Sequence, residues 1–293
     1  MKTMRKGLSF QRREWWYCVL FVSPWIIGAI AFFLYPLYYS LRLSFGTIIN
    51  PATQEIVFAG LDNFRIAFLE DARFFPILLS VSKDTLINTP LIIAFSLFIA
   101  ILLNKEIKGK GLFRSVFFLP VILGTGFVMQ QLLGVNINQD AVEVARGILL
   151  PEKLVKFLNP SVTRLILDFL SRITLILWKS GVQIIIFLAG LQSIPSSFYE
   201  AARVDAATEW ECFWFISLPM LVPIILLCSV FTIVSSFLDT TNEMMNYINE
   251  LNFQWSQVEY SAAVSWLYFM FVIIILVVLF VILGPASRRV KEN

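Results

Sequence analysis

The chain has 293 residues, of which 58% are hydrophobic and 15% charged, and its mean hydropathy is +0.78. Soluble domains carry about 25% charged residues, so the composition excludes an ordinary soluble fold and indicates a membrane protein. A formal charge of +3 gives no reason to expect a nucleic-acid partner, and the absence of histidine, the commonest metal ligand and acid/base residue, argues against a zinc enzyme or a Ser-His hydrolase.

A hydrocarbon core of about 30 Å takes about 20 helical residues to cross. Six runs reach or approach that length, at about 16–45, 85–103, 112–134, 173–192, 219–238 and 262–284. They are apolar all round, which fits helices and not the alternating strands of about 10 residues that build barrels. The first run is too long for a signal-peptide core and no cleavage-type site follows it. Pro24 and Pro36 within it predict kinks that neighbouring helices tolerate, and Trp15, Trp16 and Tyr17 fit an interfacial belt.

The segments at 1–15, 104–114, 193–218 and 285–293 hold thirteen Lys and Arg, against eight in the longer segments on the opposite side. Both termini are therefore expected in the cytoplasm. The segment at about 46–84 is polar and mixed, and reads as a short ordered excursion outside. The next outer segment, about 135–172, pairs Asp168 with Arg172 at helical spacing. Lys153, Lys156, Arg164, Arg172 and the membrane-embedded Lys179 are either solvated charges or an attractor for an anionic substrate. The last outer segment, 239–261, holds Asp239, Glu243, Glu250 and Glu259 with no cation. Cys18, Cys212 and Cys228 lie in or beside membrane runs and imply no disulfide framework. No internal repeat is visible, and 1–293 is expected to be one transmembrane domain.

The cytoplasmic stretch SSFYEAARVDAATEWECFWFISLPML, residues 196–221, interrupts this hydrocarbon with four carboxylates. Pro195 suits a helix start, and Ser197 with Glu200 matches a capping box; Thr208 with Glu211 matches a second. Two short helices at about 197–215 are predicted, joined by a turn at VDAA. A helix lying on lipid usually shows Lys and Arg on its polar face. Glu200, Asp205, Glu209 and Glu211 against Arg203 point instead to a protein partner with basic groups.

EAARVDAATEWECFWFISLP resembles the EAA loop of permease subunits in ABC importers, whose pattern is Glu-Ala-Ala, three residues, Gly, nine residues, then Ile-x-Leu-Pro. Glu200, Ala201, Ala202, Ile216, Leu218 and Pro219 stand at the required spacing, and Ala206 occupies the glycine position. Glycine there permits a positive φ that costs an L-residue roughly 1 kcal/mol or more, so Ala206 is expected to keep the turn with a helical φ. FLYPLYYSLRLSF, FAGLDNFRIAF, ILLNKEIKGKGLFRSVFFLPVIL and LAGLQSIPSSFYEAARVDAA are similar to segments of the carbohydrate-uptake permeases of the maltose and glycerol-phosphate kind.

The resemblance implies an all-α, six-helix type I importer permease in the bacterial inner membrane, translocating an oligosaccharide or sugar derivative, acidic ones included, by alternating access. It implies a second, similar permease, two cytoplasmic ATPases carrying ATP and Mg, and an extracytoplasmic solute-binding protein. Glu200 to Ala207 would be the coupling segment, with Asp205 either touching the partner or capping the next turn. KGKGLFRS lacks phosphate-loop spacing, so the chain is expected to hydrolyse nothing and to bind no cofactor or metal itself. Asn88, Gln130, Gln131, Gln183, Ser235, Ser236 and Trp266 are candidates for the substrate path; hydrogen bonding between helices explains each equally simply. A channel or secondary transporter would need no ATPase. A membrane-embedded glycosyl or lipid-linked transferase would need converging carboxylates or a metal cluster, which the sequence does not offer.

Overall fold

A computed structural model describes residues 6–50, 55–105, 166, 169, 172–173, 175–239 and 242–292. Among the described residues, four helical spans are long and apolar enough to cross a membrane: Trp15–Ser44, Phe74–Asn104, Glu209–Phe237 and Val258–Pro285. A fifth would be the pair Gly181–Gln192 and Ser196–Val204, bent by 63° at the break between them. The run at 112–134 lies outside the described residues. The fold is all-α and multi-pass, and among the described residues it carries a two-stranded antiparallel hairpin outside the spans. The chain divides into two compact units, Met1–Ile77 with Asn246–Met270, and Leu78–Met245 with Phe271–Asn293.

In the first unit, α1 (Lys6–Ala29) passes Pro24 as regular helix, and a π-helical turn at Ile30–Leu34 leads into α2 (Tyr35–Ser44). The irregularity sits just ahead of Pro36, whose ring would collide with the carbonyl four residues earlier in a regular helix. None of the apolar window of Trp15–Ser44 is buried, which leaves this span for lipid or partner contact. The hairpin pairs β1 (Gly46–Asn50) with β2 (Glu55–Phe58), Gly46 opposite Phe58. Buried Asn63, in the short helix α3 (Asp62–Arg65), donates to the carbonyls of Ser44 (3.1 Å) and Gly46 (2.9 Å), fixing the chain where it leaves α2.

Asp71 organises the rest of this unit. One carboxylate oxygen accepts the N–H groups of Arg73 (2.7 Å) and Phe74 (3.2 Å) at the start of α4 (Phe74–Asn104), and the other accepts the hydroxyls of Tyr247 and Tyr260. Burial opposes ionisation of Asp71, yet these four donors outweigh it and hold its carboxyl below the usual value. Burial, followed by the Asp71 hydrogen bond, pushes the Tyr247 hydroxyl up. The Arg73 guanidinium lies over the rings of Tyr247 (4.9 Å) and Trp255 (5.4 Å) and bonds Glu250 at 3.1 Å.

The second unit is built on α4, α5 (Gly181–Gln192) and α8 (Leu218–Phe237). Leu97, Ala100 and Leu103 from α4 meet Ile184, Phe187, Leu188 and Leu191 from α5, and Leu221 and Cys228 from α8. The spacing of three and four residues puts each set on one helix face. Gly190 allows the close approach of α5 to α8, because a Cβ there would fall 2.1 Å from Ile224 Cδ1 and 3.1 Å from Leu221 Cδ2. α4 begins at Phe74 and not near 85, since the helix continues through Lys83 and Asp84, whose charges mark the edge of the apolar run and not the edge of the helix.

Candidate functional site

Two features of the second unit carry its chemistry. The first is the loop at residues 196–217. α6 (Ser196–Val204) begins at Pro195, whose extended backbone makes it the cap residue; no side-chain cap bond is formed there. The expected capping box of Ser197 and Glu200 is therefore corrected. Pro195 takes the cap position, so Ser197 falls inside the first turn, where its hydroxyl no longer faces the orphan amides. Glu200 is exposed and free of that duty.

Ala206 is the second correction. Its φ is +57°, in the left-handed region, where a helical value was expected. The hydrogen bonds supply the reason. Ala207 N–H donates to Ala202 O (2.9 Å) and Ala206 N–H to Arg203 O (3.1 Å), the paired bonds of a Schellman motif that closes α6. Satisfying those helix-end carbonyls outweighs the steric cost of a left-handed alanine. Ala206→Gly is accordingly expected to raise stability by about 0.5–1 kcal/mol, measured as a higher unfolding midpoint in detergent; an unchanged or lower midpoint would show that the left-handed alanine is unstrained.

The second capping box forms as expected. Glu211 N–H donates to Thr208 Oγ1 (3.3 Å) and Thr208 N–H to Glu211 Oε2 (2.7 Å), starting α7 (Glu209–Cys212). α7 continues through a π-helical turn, Phe213–Ser217, into α8 as one span. Tyr199, Phe213, Ile216 and Leu218 pack on the unit's core, while Glu200, Ala201, Arg203, Val204, Asp205 and Ala206 are exposed and Ala202 is half-buried. Pro219 stands exposed directly after the π-helical turn, at the second residue of α8. Lys105, just past α4, reaches Glu209 at 2.7 Å in an exposed, screened ion pair. The loop thus presents its acidic and small residues outward together with Phe198, Trp210, Trp214 and Phe215, and fastens Tyr199 and Phe213 inward.

The second feature is a cavity of about 270 Å³ near the other end of α4. Ser80, Asp84, Thr85 and Asn88, on one face of α4, line it with Lys179, Ser236, Asp239, Asn242 and Glu243. From Asn88 to Lys105 the helix rises about 25 Å, so cavity and loop occupy opposite ends. Lys179 Nζ lies 2.7 Å from Asp239 Oδ2, with both side chains about three-quarters buried. The Asn88 side-chain oxygen is buried with no hydrogen-bond partner among the described residues.

The path candidates separate on this geometry. Asn88 and Ser236 line the cavity. Gln183, 2% exposed, donates to Thr232 Oγ1 (2.9 Å), which donates to Cys228 O (2.7 Å); it ties α5 to α8 and is not among the cavity residues. Ser235 points outward and bonds the Phe231 carbonyl of its own helix. Trp266 belongs to the first unit, edge-on to Phe269 at 5.6 Å. Gln130, Gln131, Lys153, Lys156, Arg164 and Asp168 lie outside the described residues. Intramembrane hydrogen bonds average about 0.6 kcal/mol, so Gln183→Leu is expected to shift stability by less than about 1 kcal/mol; a larger loss on denaturant unfolding would contradict the strut role.

The acids of segment 239–261 find their partners only through the fold. Asp239 meets Lys179, Glu250 meets Arg73, and Glu259 accepts the Ile48 N–H at 2.7 Å. The tyrosine clamp on Asp71 had no local signal, because its members are about 180 residues apart in the chain. Among the described residues no His, Cys, Asp and Glu cluster could hold a metal.

Comparison with known proteins agrees with this architecture. Residues 72–290 match the family model described as the binding-protein-dependent transport system inner membrane component. The chain is 33% identical over 279 residues to the probable ABC transporter permease protein YesP of Bacillus subtilis, covering 89% of this chain and 88% of that one. It is 31% identical over 229 residues to the multiple sugar-binding transport system permease protein MsmF of Streptococcus mutans, covering 75% and 72%. Its fold is similar to a chain in the crystal structure of a bacterial ABC transporter involved in the import of the acidic polysaccharide alginate, with a TM-score of 0.61, 20% identity, and 98% and 99% of the two chains covered. The chain therefore belongs to the binding-protein-dependent transport system inner membrane components, the multi-pass permease subunits of ABC importers, whose role is transport and not catalysis.

Proposed function

We propose that this permease carries an oligosaccharide across the bacterial inner membrane, driven by ATP hydrolysis on separate subunits. One transmembrane domain of six spans, both termini cytoplasmic, would pair with a second permease. Two cytoplasmic ATPases would grip the pair, and an extracytoplasmic binding protein would deliver the sugar. The sugar-uptake permeases among its relatives support the substrate class.

The observation that carries the proposal is the loop at 196–217. Its backbone is locked by the Schellman closure at Ala206 and the Thr208 capping box, while Glu200, Ala201 and Arg203 to Ala206 stand exposed. A rigid exposed segment continuous with a membrane span suits the transfer of a partner's movement to the bundle. Asn88, Ser236 and their neighbours, with hydroxyl, amide and charged groups around a cavity near the far end, suit the hydroxyl-rich surface of a sugar. Alternating access then follows from different affinities of ATP and sugar for the two states.

The test reconstitutes the permease pair with its ATPases and binding protein in proteoliposomes. ATP-dependent uptake of at least one member of a panel of neutral and uronate oligosaccharides is expected, with vanadate abolishing it. Uptake that persists without the ATPases would establish a channel or secondary transporter instead.

A further inference from the structure

The loop and the span it feeds are joined by more than the chain. The turn at residues 205–208, closed by the Schellman bonds and the Thr208 box, separates α6 from the continuous span Glu209–Phe237. Across it, Tyr199 on α6 places its hydroxyl 2.9 Å from Ser217 Oγ, at the end of the π-helical turn. Ser217 is 7% exposed, and its hydroxyl donates at 3.4 Å to the carbonyl of Cys212, where that turn begins. When Ser217 donates its single hydroxyl proton to the Cys212 carbonyl, Tyr199 is the donor to Ser217. Around this chain Tyr199, Phe213, Ile216 and Leu218 all pack on the same apolar core, which keeps water from competing for the bonds.

The geometry points to this hydroxyl chain as the lock of the elbow, making Tyr199 a positioning residue for energy coupling. It rests on the docking role of the loop proposed above. A π-helical turn inside a span is a place where helices kink, because it interrupts the regular i→i−4 ladder. Here that place lies between the docking surface and the membrane. A movement imposed on Glu200 to Ala206 would be lost there by bending unless α6 and the turn move as one body. The Tyr199–Ser217–Cys212 chain ties α6 to both ends of the turn. The Cys212 contribution is a backbone carbonyl, so its side chain can be replaced without touching the lock.

The experiment uses the assembled complex with its second permease and ATPases, and MgATP with vanadate as the trapping probe. Cys18 and Cys212 are changed to Ser, buried Cys228 is left in place, and spin labels are set at Val204 and Leu238, which are 86% and 64% exposed. The labels bracket a span of about 40 Å, within reach of pulsed dipolar distance measurement. The unsubstituted elbow is expected to give one narrow distance that trapping leaves unchanged. Tyr199→Phe and Ser217→Ala, each small in volume change, are expected to raise the population of a second, bent distance about fivefold, the factor equivalent to one neutral hydrogen bond of ~1 kcal/mol. Ser217→Thr, which keeps the hydroxyl, restores the single distance.

A single unchanged distance in both Tyr199→Phe and Ser217→Ala would overturn the lock. So would two distances in the unsubstituted elbow after trapping, because the elbow would then bend in normal operation. A label at Val204 whose distance to a labelled ATPase does not respond to trapping would sink the docking role instead, and the internal Val204–Leu238 distance still decides the lock.

Discussion

Replacing Ala206 with Trp, or Glu200 with Ala, is expected to cut ATP-driven uptake at least about tenfold, equivalent to 1.4 kcal/mol of lost coupling, while the purified permease keeps its helical content. Both residues are exposed, so neither change opens a cavity or removes a core contact. Glu200 makes no capping bond to its own helix, which removes the self-contained explanation for a carboxylate at that position. Trp at Ala206 places a large side chain on a left-handed residue at the point where the loop turns back, so a socket shaped for alanine or glycine could not close over it. Measuring uptake and ATPase activity on the same proteoliposomes separates a coupling defect from poor assembly. Full uptake in both variants would remove the loop from the coupling pathway.

Asp71→Asn is expected to cost about 3 kcal/mol of stability in the first unit. The carboxylate accepts four hydrogen bonds, two from backbone N–H groups at the start of α4 and two from tyrosines, and charge-assisted bonds contribute about 1.5–3 kcal/mol each before desolvation is subtracted. The pH dependence has a definite sign. The folded carboxyl titrates below its unfolded value of about 3.9, so its stabilisation is complete above that value and drains away as pH falls through the folded value. Unfolding midpoints followed by tryptophan fluorescence should therefore differ most above the unfolded value and converge only as the pH falls through the lower, folded value. Parallel curves for the native chain and Asp71→Asn down to the lowest pH would show that ionisation of Asp71 is not what stabilises the clamp.

Much of this was legible before any coordinates. Continuous apolar runs marked the spans at Trp15–Ser44, Glu209–Phe237 and Val258–Pro285 to within a turn or so at most ends, because a span must bury every backbone group in its own helix. The Glu209 end differs more, since the second loop helix runs into the membrane span without a break. The Thr208–Glu211 box was legible because both partners are local and nothing competes for them. Ser197–Glu200 matched the same pattern and failed, because Pro195 displaced the cap by two residues. Ala206 failed for a different reason. Intrinsic preference sees only the alanine, whereas two helix-closing hydrogen bonds across the turn decide its φ.

The partners of the acids in segment 239–261 were beyond local pattern. Segment 239–261 carries acids without a cation of its own, and its ion pairs reach back to Arg73 and Lys179. For the substrate path, Asn88 and Ser236 fell on the cavity while Gln183 became a strut. All three are polar residues within apolar runs, and only their helix faces distinguish them.

The most direct test of the whole account is a photo-crosslink from the loop. A benzoylphenylalanine placed at Val204, which is 86% exposed on α6, is irradiated in native membranes of cells carrying the complete importer. The account predicts an adduct with the cytoplasmic nucleotide-hydrolysing subunit. An adduct with lipid alone, or with an extracytoplasmic protein, while that subunit still co-purifies with the permease, would contradict it.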